Sequence, residues 1–243
     1  MDVKGTYVNY VQYGNKTGKD IVLLHGWGQN IAMMDPIGKG MENKYRITIF
    51  DFPGFGKSPE PPYGFNVFDY YEVLDELLEK LDIKNPVLVG HSFGGRIAMI
   101  YAVNKKVSKL VLLGTPFRRT NKKANYKLKI LKIVRKTPII KNFEGYLRSK
   151  IASTDYYNAS PIMRKVLVNV INEELTDLIP KIKSSTVLIW GSDDKEVPLS
   201  EAKYIEEKVD DCGLVIYEGC SHFAYLERLK QTINILDHFL KDG

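Results

Sequence analysis

The chain has 243 residues, 44% hydrophobic and 26% charged, with a net charge of +6. That length fits one domain, or one domain carrying an insertion, with ample chain for a buried core. No apolar run approaches the roughly 18 residues a membrane-spanning helix needs, and Met1-Asp2-Val3-Lys4-Gly5 lacks the apolar stretch of a secretory signal, so cytoplasm is the expected compartment. In chain order, Thr6 to Tyr13 alternates like a half-buried strand and ends at the turn signal Gly14-Asn15. Ile21-Val22-Leu23-Leu24 is a continuous apolar run, as expected of a strand covered on both faces. Tyr45 to Phe50 predicts another strand. From Asn66 to Leu81 the period becomes helical: Val67, Tyr70, Val73, Leu74, Leu77, Leu78 and Leu81 share a face, and Asn66 is placed to cap it.

A strand at 86–89 is followed by a helix-compatible run after Ser92 and by the strand Leu110-Val111-Leu112-Leu113. The alternation resumes with the strand Val187-Leu188-Ile189-Trp190, a helix near 200–209, the strand Leu214-Val215-Ile216-Tyr217 and a closing helix near 229–240. Alternating strands and helices imply an α/β fold, a mostly parallel central sheet flanked by helices. Residues 116–182 break that rhythm with helical patterns and no strand. They predict a helical cap inserted between core segments 1–115 and 183–243.

Gly90-His91-Ser92-Phe93-Gly94 matches the pattern G-x-S-x-G between a strand and a helix. The turn is tight, so small residues must flank it, and Ser92 is then presented at the apex. The helix N-terminus directs backbone N–H groups at negative charge forming nearby. A serine hydroxyl needs a base, and that base needs an orienting partner. Among four histidines, His222 follows the last predicted strand, where the loops of an open parallel sheet build a site. His25 ends an early strand, His91 precedes the serine, and His238 lies in the closing helix. Three carboxylates, Asp193, Asp194 and Glu196, follow the strand 187–190. Spacing alone does not decide between the neighbours Asp193 and Asp194.

These residues resemble the α/β-hydrolase superfamily, in its serine-nucleophile branch, over nearly the whole chain. Leu24-His25-Gly26-Trp27-Gly28 looks like its oxyanion motif, and Asp51-Phe52-Pro53-Gly54-Phe55-Gly56-Lys57-Ser58 is similar to its D-x-P-G-x-G-x-S loop. Gly191-x-x-Asp194-x-x-Val197-Pro198 resembles its acid motif, which favours Asp194, and Gly219-x-x-His222-Phe223 its histidine motif. The resemblance implies an α/β-hydrolase fold with a helical cap and a Ser92, Asp194, His222 triad in the chain order of that group. It also implies an oxyanion hole from the N–H groups of Trp27 and Phe93. The implied activity is hydrolysis of carboxylic esters with no metal or organic cofactor. Esterases of carrier-linked acyl methyl esters share a similar His-Gly-Trp-Gly opening. Thioesterase, lipase-like, aminopeptidase, carbon–carbon bond hydrolase and perhydrolase chemistry use the same triad. A non-catalytic ligand-binding homologue is the reading from another class. By the same resemblance His25 shapes the oxyanion loop. The Gly54/Gly56 loop lacks the lysine-serine ending of a P-loop and the spacing of a dinucleotide fingerprint, so it is expected to be structural.

Cys212 and Cys220 are the only cysteines and are expected as reduced thiols, and no cluster has metal-ligand spacing. Residues 118–150 hold twelve Lys/Arg against the single acid Glu144, so the basic character belongs to one segment. Within it, Tyr126 to Lys136 mixes apolar residues with Lys127, Lys129, Lys132, Arg135 and Lys136, which suits a helix with an apolar side and a basic rim. The expected partners are a small-molecule acyl substrate and, through that rim, an acidic carrier protein or an anionic lipid surface. Charge reversal at Lys129, Lys132 and Lys136 tests the second. Nucleic acid is not expected, because no reader motif or stacking aromatics accompany the charge.

Overall fold

The computed structural model describes residues 1–119 and 159–241. Seven strands form one sheet: β3 (Tyr10–Gly14), β4 (Asp20–Leu24), β5 (Arg46–Phe50), β6 (Val87–His91), β7 (Lys109–Leu113), β8 (Thr186–Gly191) and β9 (Cys212–Tyr217). Their order is β3-β5-β4-β6-β7-β8-β9. Only β3 runs antiparallel, against β5, and every other pair is parallel. A short hairpin, β1 (Asp2–Val3) with β2 (Thr6–Tyr7), precedes the sheet.

The single strand expected over 6–13 is therefore two. Val8 donates its N–H to the Met1 carbonyl at 2.7 Å, which folds the chain back on itself. Asn9 then donates its backbone N–H to Ser58 Oγ at 2.9 Å and its side-chain amide to Asp51 Oδ2 at 2.7 Å, fixing the bend before β3. Local alternation could not report those distant partners.

Alternate residues of each central strand enter opposite layers, as a period of two requires. Val22, Leu24, Leu88, Leu110, Leu112, Leu188 and Trp190 pack with α2 (Val67–Lys80) and α3 (Phe93–Asn104). Ile21, Leu23, Val87, Val89, Val111, Leu113 and Ile189 pack on the other face with α1 (Ile31–Met41) and α7 (Leu229–Phe239). Among the described residues the remaining helices are α4 (Pro161–Asn172), α5 (Leu199–Lys208) and the single turn α6 (Ala224–Glu227), with a 3-10 turn at Thr176–Lys181. Among the described residues no helix is long and apolar enough to cross a membrane.

Most of the expected insertion, including the basic run Tyr126 to Lys136, lies outside the described residues. Its two ends meet: the Leu175 N–H donates to the Phe117 carbonyl at 2.9 Å. The Phe117 N–H donates to Glu201 Oε2 at 3.1 Å, and buried Arg96 on α3 donates to the Glu173 carbonyl at 2.8 Å. Burial lowers the Arg96 guanidinium to about 10. Phe117 and the Glu173–Leu175 stretch thus come together beside α3, the helix that follows Ser92.

Candidate active site

The sheet order changes direction at β4 and β6, which are neighbours although α1, β5 and α2 separate them in sequence. A crevice opens beyond the carboxyl ends of strands at such a point. The turn after β4 and the turn before α3 both border it. At the second, Ser92 has φ +50° and ψ −112°, a conformation that L-residues seldom adopt. Its neighbours explain why that turn can close. A Cβ on Gly90 would lie 2.5 Å from Gly95 Cα, and one on Gly94 would lie 2.5 Å from the Leu24 carbonyl oxygen. Glycine at both positions lets strand β6, helix α3 and the end of β4 approach closely.

The turn after β4 has its own hydrogen bond from Gln29 N–H to the Gly26 carbonyl at 3.2 Å, with Gly28 at φ +70°. Among the described residues the Trp27 N–H donates to no acceptor. The first turn of α3 likewise leaves the Phe93 N–H without an intrahelical acceptor. The Trp27 and Phe93 rings meet edge-on at 5.7 Å, so the two residues expected to supply the N–H pair stand side by side. Phe55 closes against Trp27 at 4.9 Å, giving the crevice an aromatic wall.

His25 sits below this wall, fully buried. Its Nδ1 donates to the Gly26 carbonyl at 2.8 Å and its Nε2 accepts the Phe52 N–H at 3.0 Å. Both nitrogens are spent on backbone, and burial lowers its pKa to about 4. The Asp51 loop is similarly self-contained, since the Asp51 carboxylate accepts N–H bonds from Ile31 at 2.8 Å and Lys57 at 2.9 Å.

His222, in the loop after β9, reaches across β8 to stand over the end of β7. Two glycines make room. A Cβ on Gly114 would lie 3.1 Å from His222 Nδ1, and one on Gly191 would collide with the Cys220 and Ser221 carbonyls. His222 Nδ1 pairs with Asp194 Oδ2 at 2.8 Å, both side chains being buried. The other carboxylate oxygen, Oδ1, accepts the N–H groups of Glu196 and Val197, each at 2.8 Å, which locks the rotamer of Asp194. Asp193 is exposed and pairs with Ser192 instead.

His91 packs its ring 4.8 Å from that of His222, so the residue before Ser92 touches the residue paired with Asp194. Its Nε2 lies 3.1 Å from the His222 carbonyl and its Nδ1 lies 3.2 Å from Gln29 Oε1. Burial and the neighbouring His222 lower His91 to about 3, so the ring is neutral and has one N–H for the two acceptors. Among the described residues Ser92 Oγ makes no hydrogen bond. His222 Nε2 instead lies 3.5 Å from Glu196 Oε2. The motifs did not single out Gly114, Gln29 or Glu196. Their contacts are long-range, and spacing carries no signal for them.

Cys212 and Cys220 are unbridged, and His238 is exposed in α7. Among the described residues no group of three His, Cys, Asp or Glu side chains is placed to hold a metal ion.

A family model described as alpha/beta hydrolase fold matches residues 20–144. A 2-hydroxy-6-oxononadienedioate/2-hydroxy-6-oxononatrienedioate hydrolase from a Pseudomonas species is 25% identical, over 99% of this chain and 95% of its own length. An esterase from Exiguobacterium antarcticum superposes with a TM-score of 0.78 at 23% identity, covering 98% of this chain and 97% of that one. The meta-cleavage product hydrolase from Pseudomonas fluorescens IP01 superposes with a TM-score of 0.74 at 20% identity, covering 98% of this chain and 95% of that one.

Proposed function

The chain belongs to the alpha/beta hydrolase family, and from that premise we propose that it hydrolyses carboxylic esters through an acyl-enzyme on Ser92. The observation that supports this most directly is the pairing of His222 Nδ1 with Asp194 at 2.8 Å, together with Ser92 held at φ +50° directly after His91, whose ring packs on that of His222. With Nδ1–H donated to Asp194, His222 Nε2 carries the free lone pair. It takes the Ser92 proton as Oγ attacks the ester carbonyl. The oxyanion accepts the Trp27 and Phe93 N–H groups, and losing one such donor costs roughly 10²–10³ in kcat. Nε2–H then passes its proton to the leaving alkoxide, and water repeats the cycle on the acyl-enzyme. Catalytic hydrogen bonds to a nucleophile are often long before substrate binds, which accommodates the free Ser92 hydroxyl.

The second reading is hydrolysis of a carbon–carbon bond on the same residues, favoured by the name of the 25%-identical Pseudomonas relative. Hydrolysis of p-nitrophenyl esters of graded chain length, by wild type and Ser92→Ala, tests the first. Multiple turnovers that vanish in Ser92→Ala are expected. Turnover confined to 2-hydroxy-6-oxo dienoates moves the assignment to the second. If neither class turns over and a phosphonate fails to label Ser92, the chain is a binding protein on this fold.

A further inference from the structure

We propose that Glu196 sets the charge selectivity of this site, so that esters of uncharged alcohols are turned over in preference to esters whose alcohol carries a carboxylate. The inference rests on the ester-hydrolase reading above and names the substrate class that reading left open.

Two carboxylates bracket the His222 imidazole. Asp194 sits on Nδ1 at 2.8 Å with its side chain fully buried, while Glu196 sits on Nε2 at 3.5 Å with its side chain 66% exposed. The backbone N–H of Glu196 is tied to Asp194 Oδ1 at 2.8 Å, so the acid that orients the imidazole also fixes the residue bearing the second charge. Among the described residues, His222 supplies the basic nitrogen within 4 Å of the Glu196 carboxylate. Lys195 precedes it on the same turn and is exposed.

The position of that charge decides what it acts on. Nε2 hands its proton to the leaving oxygen, so this oxygen must come within hydrogen-bond distance of Nε2. The alcohol then lies a few ångströms from Glu196, whereas the acyl chain extends from the carbonyl beside the aromatic wall of Trp27, Phe55 and Phe93. A carboxylate on the alcohol is repelled, and one at the far end of an acyl chain is not. Because Glu196 is exposed, solvent and salt screen the repulsion. The expected discrimination is about two- to fivefold, well short of the value for buried charges.

The test uses two butyrate esters, of 4-hydroxybenzamide and of 4-hydroxybenzoate, with wild type, Glu196→Gln and Glu196→Lys. Their different intrinsic reactivities cancel when the neutral-to-anionic ratio of kcat/KM is compared across variants. The ratio is expected to fall about two- to fivefold in Glu196→Gln and further in Glu196→Lys, with the differences shrinking as salt is raised. An unchanged ratio overturns the proposal, as does an equal loss on both esters, which would mean that Glu196 only holds the His222 loop. Wild-type turnover with an unchanged ratio overturns this proposal alone. Should wild type turn over neither ester, inactivation by phosphonates with the same two leaving groups reads the same ratio at Ser92. Absence of both turnover and labelling overturns the ester reading and this proposal together.

Discussion

Asp194 and Asp193 are adjacent in sequence and opposite in situation. One is buried on an imidazole with its second oxygen filled by two backbone N–H groups, and the other is exposed beside a serine hydroxyl. Asp194→Asn keeps the shape but removes the carboxylate that holds Nδ1–H, and kcat is expected to fall on the order of 10³–10⁴-fold. Asp193→Asn is expected to leave kcat nearly unchanged, and steady-state assays on one ester separate the two. The resemblance to the family's acid motif already favoured Asp194. The reason, that only its side chain points under the strand ends toward β7, needed the folded loop. Glu196 is the converse: a residue of the same motif with no assigned part, whose approach to His222 Nε2 appears only when β8 and β9 lie together.

Helix α2 shows local chemistry deciding an element. Asn66 accepts the N–H groups of Phe68 at 2.7 Å and Asp69 at 3.1 Å, and Asp69 returns the favour by accepting the Asn66 N–H at 2.7 Å. This reciprocal cap, with Val67, Tyr70, Val73, Leu74, Leu77 and Leu78 buried, is why the helix was legible from its residues. Asn66→Ala is expected to cost about 1 kcal/mol of stability, read from the urea midpoint. Helix α1 shows the opposite. It contains Pro36, Gly38 and Gly40, all poor helix formers, so its residues predict no helix. A Cβ on Gly38 would strike the Tyr13 hydroxyl, and one on Gly40 would strike Ile233, so the glycines exist to let α1 close on β3 and α7. Tertiary packing overrides propensity at this helix. The strand expected over 6–13 failed for a related reason, because Ser58 and Asp51 claim Asn9.

Across the whole molecule, folding places two neutral imidazoles inside the sheet's upper edge. Burial lowers His25 from 6.5 to about 4 and His91 from 6.5 to about 3. As pH falls below 6.5 the unfolded chain binds protons at these positions and the folded chain does not. Their contribution to stability is complete above pH 6.5 and is lost progressively as pH falls, down to about 4 for His25 and about 3 for His91. Urea midpoints are therefore expected to fall across that window, with a shallower slope in His91→Gln. The strand–helix alternation, the serine turn and the order in which Ser92, Asp194 and His222 follow their strands are legible along the chain. Apolar period, glycine spacing and short motifs are local properties that survive without a partner. It takes the folded sheet to make β4 and β6 neighbours, to let His222 cross β8 over Gly114 and Gly191, and to bring Glu196 beside Nε2. Those facts depend on which strand ends come together, which no local window records.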